Sequence, residues 1–536
     1  MSFPVGVGGV AANALPKLGR NRDHCYTLLE AGRQNGNPSQ VQISGSLTHS
    51  MERQAMDEKV QRVRELWAVS LFLLAFLIFN VVTATSYPYP HLDECLQAEP
   101  AINYIHGLGF RIRFDEILGM YSFLLVPWMK LFGSSLRSIR SADIVSMTAA
   151  LLVLWSAVKR LEIIPQAFWR LFLLILLATE YGMIVVYRNG RYDGFGALLM
   201  TVVLWVMSIK GKRTRLFCLF VVCLLVPWAG LQFMPMLFTS GLFLFLVFRW
   251  RFWMEIAVSF LASVLGVAAF FGIAAANGRL STLLTFIRGQ RTGVNVISDL
   301  IHRGQLVVYN YIPADFSFPF LFAAACIVFV YLLRQKKVTL HSAISLGILF
   351  DVLLGIVMLT VAKLATYYSY MIVIPIAVAL CSGLALCEPG KLRNVTLILC
   401  ALSATAGAGL HGAAYFGNPQ DRDYSHLEKF VDQTARTDDI AFVDATGYLA
   451  VRQRARDAYL REAEGSIIPL MSQQQKDSIT VLLIPPSVLE YTANGLGGQW
   501  QETGQRIAPT GRNIFGNKRV GLVTFRPIDL AVYRRR

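Results

Sequence analysis

Apolar residues along this chain arrive in runs of about 16 to 22, parted by short basic clusters, which is the spacing of helices that cross a bilayer. The first run, WAVSLFLLAFLIFNVV, begins at Trp67. Reading on, the pattern predicts eleven helices near 67–84, 141–158, 168–187, 194–209, 216–229, 231–249, 254–275, 317–333, 343–362, 367–387 and 394–414. A semi-apolar stretch at 117–133, ILGMYSFLLVPWMKLFG, reads as a helix lying at the interface, with Tyr121, Trp128 and Lys130 at headgroup level. Counting it as a twelfth span would invert every basic cluster downstream.

The flanks of this pattern differ from its middle. Residues 1–50 are rich in Gly, Asn, Gln and Ser and read as a mobile polar tail, followed by a short charged helix at 51–66. Beyond about residue 415, DIAFVDA, ITVLLIP and GLVTFRP read as strands, and the stretch around RARDAYLREAEG reads as a helix. The expected organisation is therefore a tail at 1–66, a membrane domain at 67–416 with long loops at 85–140 and 276–316, and an α/β domain at 417–536. In fold class this is an α-helical polytopic membrane protein of about eleven transmembrane helices, with a small C-terminal extracytoplasmic α/β domain.

Composition agrees. Of 536 residues 54% are hydrophobic and 16% charged, with mean hydropathy +0.48, whereas soluble proteins carry about a quarter charged residues. The net charge of +16 would suggest nucleic acid in a soluble chain, but its distribution argues against that. Lys159–Arg160, KGKRTR at 210–215, RWR at 249–251, RQKK at 334–337 and Lys391–Arg393 all fall on the side of the N-terminus. The positive-inside rule makes that side cytoplasmic. Some 65 mostly polar residues precede the first apolar run, so it does not read as a cleaved signal. The eight cysteines show no paired spacing, and neither a disulfide framework nor a zinc motif follows.

Candidate chemistry gathers in the loops on the other side. Asp93 and Glu94 open the first loop, with His91, Gln97 and Glu99 close by. A carboxylate at a water–lipid boundary can deprotonate a hydroxyl or help hold a divalent metal, and a metal on Asp93 and Glu94 is left open. YRNGRYDGFG at 187–196 brings Arg188, Arg191 and Asp193 to the same side, where Arg191 and Asp193 could pair with each other or meet the Asp93 loop. The second long loop adds Arg288, Arg291, His302 and Arg303, and KLATYYSY adds Lys363, Tyr367 and Tyr368. Outer loops are usually poor in Lys and Arg, so these cations suit an anionic ligand such as a phosphate. Arg140 and Asp143 read as a local ion pair, and His411 as packing. Glu180 and Asp351 fall inside expected spans; an acid there is a functional candidate, though one bonded to a neighbouring helix is the commoner case.

Together, an outer loop opening with HLDECLQ, an interfacial helix ending KLFGSSLRSIRSAD, and an R-x-D before the small-residue helix GFGALLM resemble the GT-C superfamily of membrane glycosyltransferases. The resemblance is closest to the branch of aminoarabinose transferases and protein O-mannosyltransferase-like enzymes, and covers roughly residues 65–390. It implies an inverting transfer of a sugar from a polyprenyl-phosphate donor to an acceptor hydroxyl at the extracytoplasmic face. The acceptor class, whether lipid, protein or polysaccharide, stays open. Asp93 matches the family's first-loop catalytic carboxylate, Glu94 its neighbour, and Asp193 the second acid. Arg188, Arg191, Arg288, Arg291, His302, Arg303, Lys363 and Tyr367 would serve the donor phosphate. The family's Lys-Pro-Pro segment is absent, so Arg111 or Arg113 would have to substitute. The resemblance also implies a multi-pass cell-membrane location, a bacterial inner membrane before an endoplasmic reticulum. A transporter or flippase, or a non-catalytic scaffold, are the alternatives.

Overall fold

The computed structural model describes residues 38–86, 92–109, 120–276, 278, 280–281, 283–284, 301, 305, 317–361, 368, 370–416, 421–461, 467–510, 519–520, 523–524 and 528–536. The described chain divides into two units between Ser70 and Leu71. The chain runs through α1 (Pro38–Val82), α2 (Leu92–Ile105), α3 (Met120–Phe132), α4 (Leu136–Arg160), α5 (Ala167–Thr179), α6 (Tyr181–Tyr187), α7 (Asp193–Val206) and α8 (Lys212–Ala229). A 3-10 turn at Leu231–Phe233 leads to α9 (Met234–Phe248), and a second at Arg249–Phe252 to α10 (Trp253–Ala276). Then come α11 (Ser317–Arg334), α12 (Ala343–Val361), α13 (Tyr370–Leu386) and α14 (Lys391–Phe416).

Each of the eleven apolar runs is helical. Among the described residues, five helical stretches are long and apolar enough to cross a membrane: Lys59–Val82, Leu136–Arg160, Leu231–Ala276, Ser317–Arg334 and Lys391–Ala413; the bent pair α5–α6 makes a sixth. The interfacial stretch is also helical, as α3. Two expectations are corrected here. Helix already begins at Pro38, inside the stretch whose composition suggested a mobile tail. And 168–187 is not one helix: α5 and α6 meet at 67°. The break is built by Glu180, whose backbone is extended and whose Oε2 accepts from Met183 N at 2.7 Å, capping α6. Ser317 Oγ donates to Glu180 Oε1 at 2.9 Å and accepts from Tyr181 N at 3.0 Å, so the backbone donors freed by the break find partners. The buried acid of this predicted span is thus a structural cap.

The C-terminal part consists of α15 (Tyr424–Thr434), β1 (Ile440–Asp444), α16 (Ala445–Arg452), β2 (Asp457–Arg461), α17 (Gln473–Ser478), β3 (Val481–Ile484), α18 (Leu489–Leu496), β4 (Trp500–Ile507), a small hairpin of β5 (Arg519–Val520) and β6 (Val523–Thr524), and β7 (Leu530–Arg535). The main sheet has the order β2-β1-β3-β7-β4. β1 pairs in parallel with β2 and β3, and β7 runs antiparallel between β3 and β4. β3 is buried at every position, as a central strand covered on both faces should be. β4 is polar and exposed over Gln501–Arg506, which keeps an edge strand from templating another chain. The strands expected in DIAFVDA and ITVLLIP are β1 and β3. RARDAYLREAEG is not a helix: its centre is β2, where Ala458, Tyr459 and Leu460 are buried between half-buried Asp457 and Arg461. GLVTFRP contributes only part of the β5–β6 hairpin, and β4 and β7 were not anticipated.

Candidate active site

α2 is short, largely buried and presents three faces. Asp93 and Gln97, one turn apart, line a cavity. Glu94 points elsewhere, into a fully buried pair with Arg140 of α4. Arg140 donates through Nε (3.1 Å) and Nη2 (2.9 and 3.2 Å) to the two oxygens of Glu94, and through Nη1 to Ala84 O (2.7 Å). Glu99 and Asn103, again one turn apart, meet Arg452 at the end of α16. Sequence neighbours 93 and 94 therefore serve different partners.

Asp93 is the accessible acid, with a side chain 32% exposed. Arg191, almost wholly buried, reaches Asp93 Oδ2 at 2.8 Å through Nη1 and Asp193 Oδ2 at 3.0 Å through Nε. Arg191 pairs with Asp193, one of the sequence readings, and the same guanidinium fork also reaches Asp93, so it spans two carboxylates. Tyr370 OH donates to Asp193 Oδ1 at 3.3 Å. Asp193 opens α7, where a carboxylate complements the helix dipole. That turn is held by Asp143, whose Oδ1 accepts from Gly194 N at 2.6 Å; a Cβ on residue 194 would collide with the Asp143 carboxylate. Gly196 is similarly closed over by the ring of Phe233, which pins the Leu231–Phe233 turn against α7.

Arg188 does not face the cavity. It is fully buried and donates to Asn80 Oδ1 and Thr83 Oγ1, both at 2.8 Å, and to Thr83 O, tying the loop after α6 to the end of α1. Its expected phosphate-binding role is corrected accordingly: the guanidinium is spent on framework. Glu94 is corrected in the same way from catalytic neighbour to structural anion. Nor do Asp93 and Glu94 form a metal pair, since they lie on different faces of α2, and among the described residues no group of three or more His, Cys, Asp and Glu is suited to a metal. The Arg140–Asp143 ion pair is replaced by two separate contacts, Arg140 with Glu94 and Asp143 with Gly194. Arg288, Arg291, His302, Arg303, Lys363 and Tyr367, with His91, Arg111 and Arg113, lie outside the described residues. Tyr368 lines the cavity.

The cavity has a volume of about 1890 Å³. Asp93, Gln97, Arg191 and Tyr370 line it together with apolar side chains of α7 to α10, α12 and α13. It extends to Glu255 near the start of α10, which Arg215 of α8 holds at 2.6 Å. Beside Asp93, Cys95 is buried and donates to Ala445 O at 3.4 Å. Burial, reinforced by the negative charge of Glu94 and Glu99, pushes its thiol well above its ordinary value, so it is an inert packing group.

This arrangement, a bundle of apolar helices with a sheet domain packed against α2, is similar in fold to solved membrane-protein structures. The solved structures with that fold include ArnT, an aminoarabinose transferase, from Cupriavidus metallidurans bound to undecaprenyl phosphate, at TM-score 0.58 and 13% identity over 87% of this chain and 97% of that one. The same protein in its apo state gives 0.53 and 12% over 87% and 98%. An oligosaccharyltransferase from Archaeoglobus fulgidus tethered to an acceptor peptide is more distant, at 0.43 and 10% over 79% and 70%. No family model and no curated protein matches the chain by sequence.

Proposed function

We propose that this chain is an integral membrane glycosyltransferase that moves a sugar from a polyprenyl-phosphate donor to an acceptor hydroxyl. The observation that carries the proposal is the union of a partly exposed carboxylate, Asp93, with an apolar cavity of about 1890 Å³ reaching from it to the far end of α7. Such a cavity suits a long isoprenoid chain, and a likeness to a structure solved with undecaprenyl phosphate supports that reading. The eleven helical runs would then be spans, with the N-terminus cytoplasmic and Asp93 and the sheet domain outside. A bacterial inner membrane suits such a lipid carrier.

In the reaction, the acceptor oxygen attacks the anomeric carbon opposite the phosphate, and its proton passes to Asp93. The new carbon–oxygen bond forms as the bond to the phosphate oxygen breaks, the electron pair leaves with the polyprenyl phosphate, and the anomeric centre inverts. Arg191 fixes the rotation of the Asp93 carboxylate, and Asp193 with Tyr370 fixes Arg191. The leaving phosphate gains negative charge, which preorganised cations stabilise by several kcal/mol. On charge alone, Arg288, Arg291, Arg303 and Lys363, assisted by His302 and Tyr367, are the candidates for that task.

The test compares Asp93→Asn with wild type. Transfer from a polyprenyl-phosphate sugar should fall by about a hundredfold or more when a general base is lost, while native mass spectrometry still finds bound undecaprenyl phosphate. Wild-type transfer in the variant would refute the role of Asp93. A wild-type chain that takes up neither undecaprenyl phosphate nor its glycosylated form would refute the class.

A further inference from the structure

The C-terminal domain touches α2 at buried points. Arg452 is fully buried at the end of α16 and donates from Nη2 to Asn103 Oδ1 at 2.7 Å. Its Nε lies 3.5 Å from Glu99 Oε2, itself 1% exposed, and its Nη1 lies 3.2 Å from Asp457 at the start of β2. The Cys95 thiol meets Ala445 O at the other end of the same helix. Tyr424 completes the joint: its N–H donates to Thr85 O at 3.3 Å, just before α2, and its hydroxyl accepts from Ala450 N at 3.0 Å. Burial and the nearby Arg452 charge both lower the pKa of His106, one residue past α2, so it is neutral at pH 7 and adds no competing cation.

We infer that Arg452 is a positioning residue for transfer: through Glu99 and Asn103 it locks α2 in the pose that holds Asp93 at the cavity mouth. The argument is geometric. α2, with 14 residues, has only about four turns, too few to hold its place alone. Its pose is fixed from two sides, by Arg140 toward the helices and by Arg452 toward the sheet domain. Two long Arg side chains with no exposure leave little play, because loosening either would strand a carboxylate in the interior. Asp93 is carried on the remaining face. The sheet domain is thereby a part of the catalytic apparatus without contributing a group to the cavity. This rests on the reading of Asp93 given above.

The experiment uses the full chain with every cysteine except Cys95 replaced by serine, in detergent or nanodiscs. A maleimide reports the opening of the joint, since Cys95 is buried by the docked domain. Arg452→Gln should alkylate about tenfold or more faster than the parent, because losing the guanidinium that contacts the buried Glu99 and Asn103 favours local opening. Transfer should fall about tenfold in kcat with the KM for the lipid-linked donor little changed, as expected when orientation is lost rather than donor binding. Arg452→Lys, which keeps the charge, should restore part of both. Should Arg452→Gln fail to assemble, Glu99→Gln tests the same joint while keeping the helix side chain's shape. Faster alkylation with wild-type kcat would overturn the positioning role, as would unchanged alkylation. A parent chain with no transfer at all would sink the enzymatic reading instead, and the Cys95 rates would still decide whether Arg452 holds the helix.

Discussion

Replacing Arg140 with Met should be among the most damaging single changes in this protein, and the size of the damage follows from its surroundings. Arg140 and Glu94 are both fully buried, with three guanidinium–carboxylate contacts between 2.9 and 3.2 Å and one further bond to Ala84 O. Removing one partner of a buried ion pair typically costs about 3–5 kcal/mol. The orphaned Ala84 carbonyl adds up to about 1–3 kcal/mol, partly the same loss counted twice. A net cost of about 4 kcal/mol is therefore expected, roughly a thousandfold in the folding equilibrium. Replacing both partners, Arg140→Met with Glu94→Leu, should return to within about 1–2 kcal/mol of wild type, because an apolar pair of similar volume has no charge to strand. The assay is a double-mutant cycle in bicelles by steric trapping. A cost below about 1 kcal/mol for Arg140→Met, or a double variant worse than the single, would refute the claim that this pair is dry and mutually dependent.

Three other changes probe different parts of the frame. Glu180→Ala removes the cap of α6 and the partner of Ser317 and should cost about 1–2 kcal/mol, whereas Glu180→Gln, which keeps an acceptor, should cost less; thermal midpoints in detergent separate them. Gly196→Ala drives a methyl into the Phe233 ring and should cost about 1–3 kcal/mol, with weakened undecaprenyl phosphate binding and recovery in the Gly196→Ala, Phe233→Leu double variant. The third concerns pH. Burial raises the Asp439 pKa, but Arg534, donating at 2.8 and 3.0 Å, together with the Arg436 N–H, outweighs it and holds the carboxyl below its ordinary 3.8. Its contribution is therefore complete above the unfolded value and drains away as pH falls through the lower folded one. Protection of the sheet domain from pepsin should decline below about pH 4, and Asp439→Asn should make that decline shallower.

The helices were legible because burial in lipid imposes a period and a length that single residues cannot hide. Asp93 was legible too, as an acid at the end of an apolar run. Glu94 was not: its adjacency to Asp93 suggested a shared task, but on a helix successive residues are turned by about 100° and take different partners. Arg188, Arg191 and Asp193 read alike as charges in one loop, yet the kink at Glu180 sends Arg188 into the framework and Arg191 toward the cavity. Nothing in the local pattern betrays that kink, because a lone Glu in an apolar run looks the same whether it caps a broken helix or faces a pore. The strand at 457–461 was hidden by helix-favouring Arg, Ala and Glu around it, and only pairing with β1 decides it. Arg452 carried no signal at all, since its partners on α2 are 349 residues away at Asn103 and still farther off at Glu99.

That separation has a consequence for how the molecule comes into being. Ribosomes add about 5–20 residues per second, so α2 waits about 20 to 70 s for α16 to be made, and longer for β7, which must slot between β3 and β4 to close the sheet. Through that interval Glu99 and Asn103 lack Arg452, and the helix bearing Asp93 can be parked in water or at the headgroups. The nascent chain would thus be enzymatically silent while its hydrophobic helices are being threaded into the membrane. Premature termination anywhere before Arg452 would yield an inserted but unfinished bundle, with α2 undocked for quality-control proteases to find.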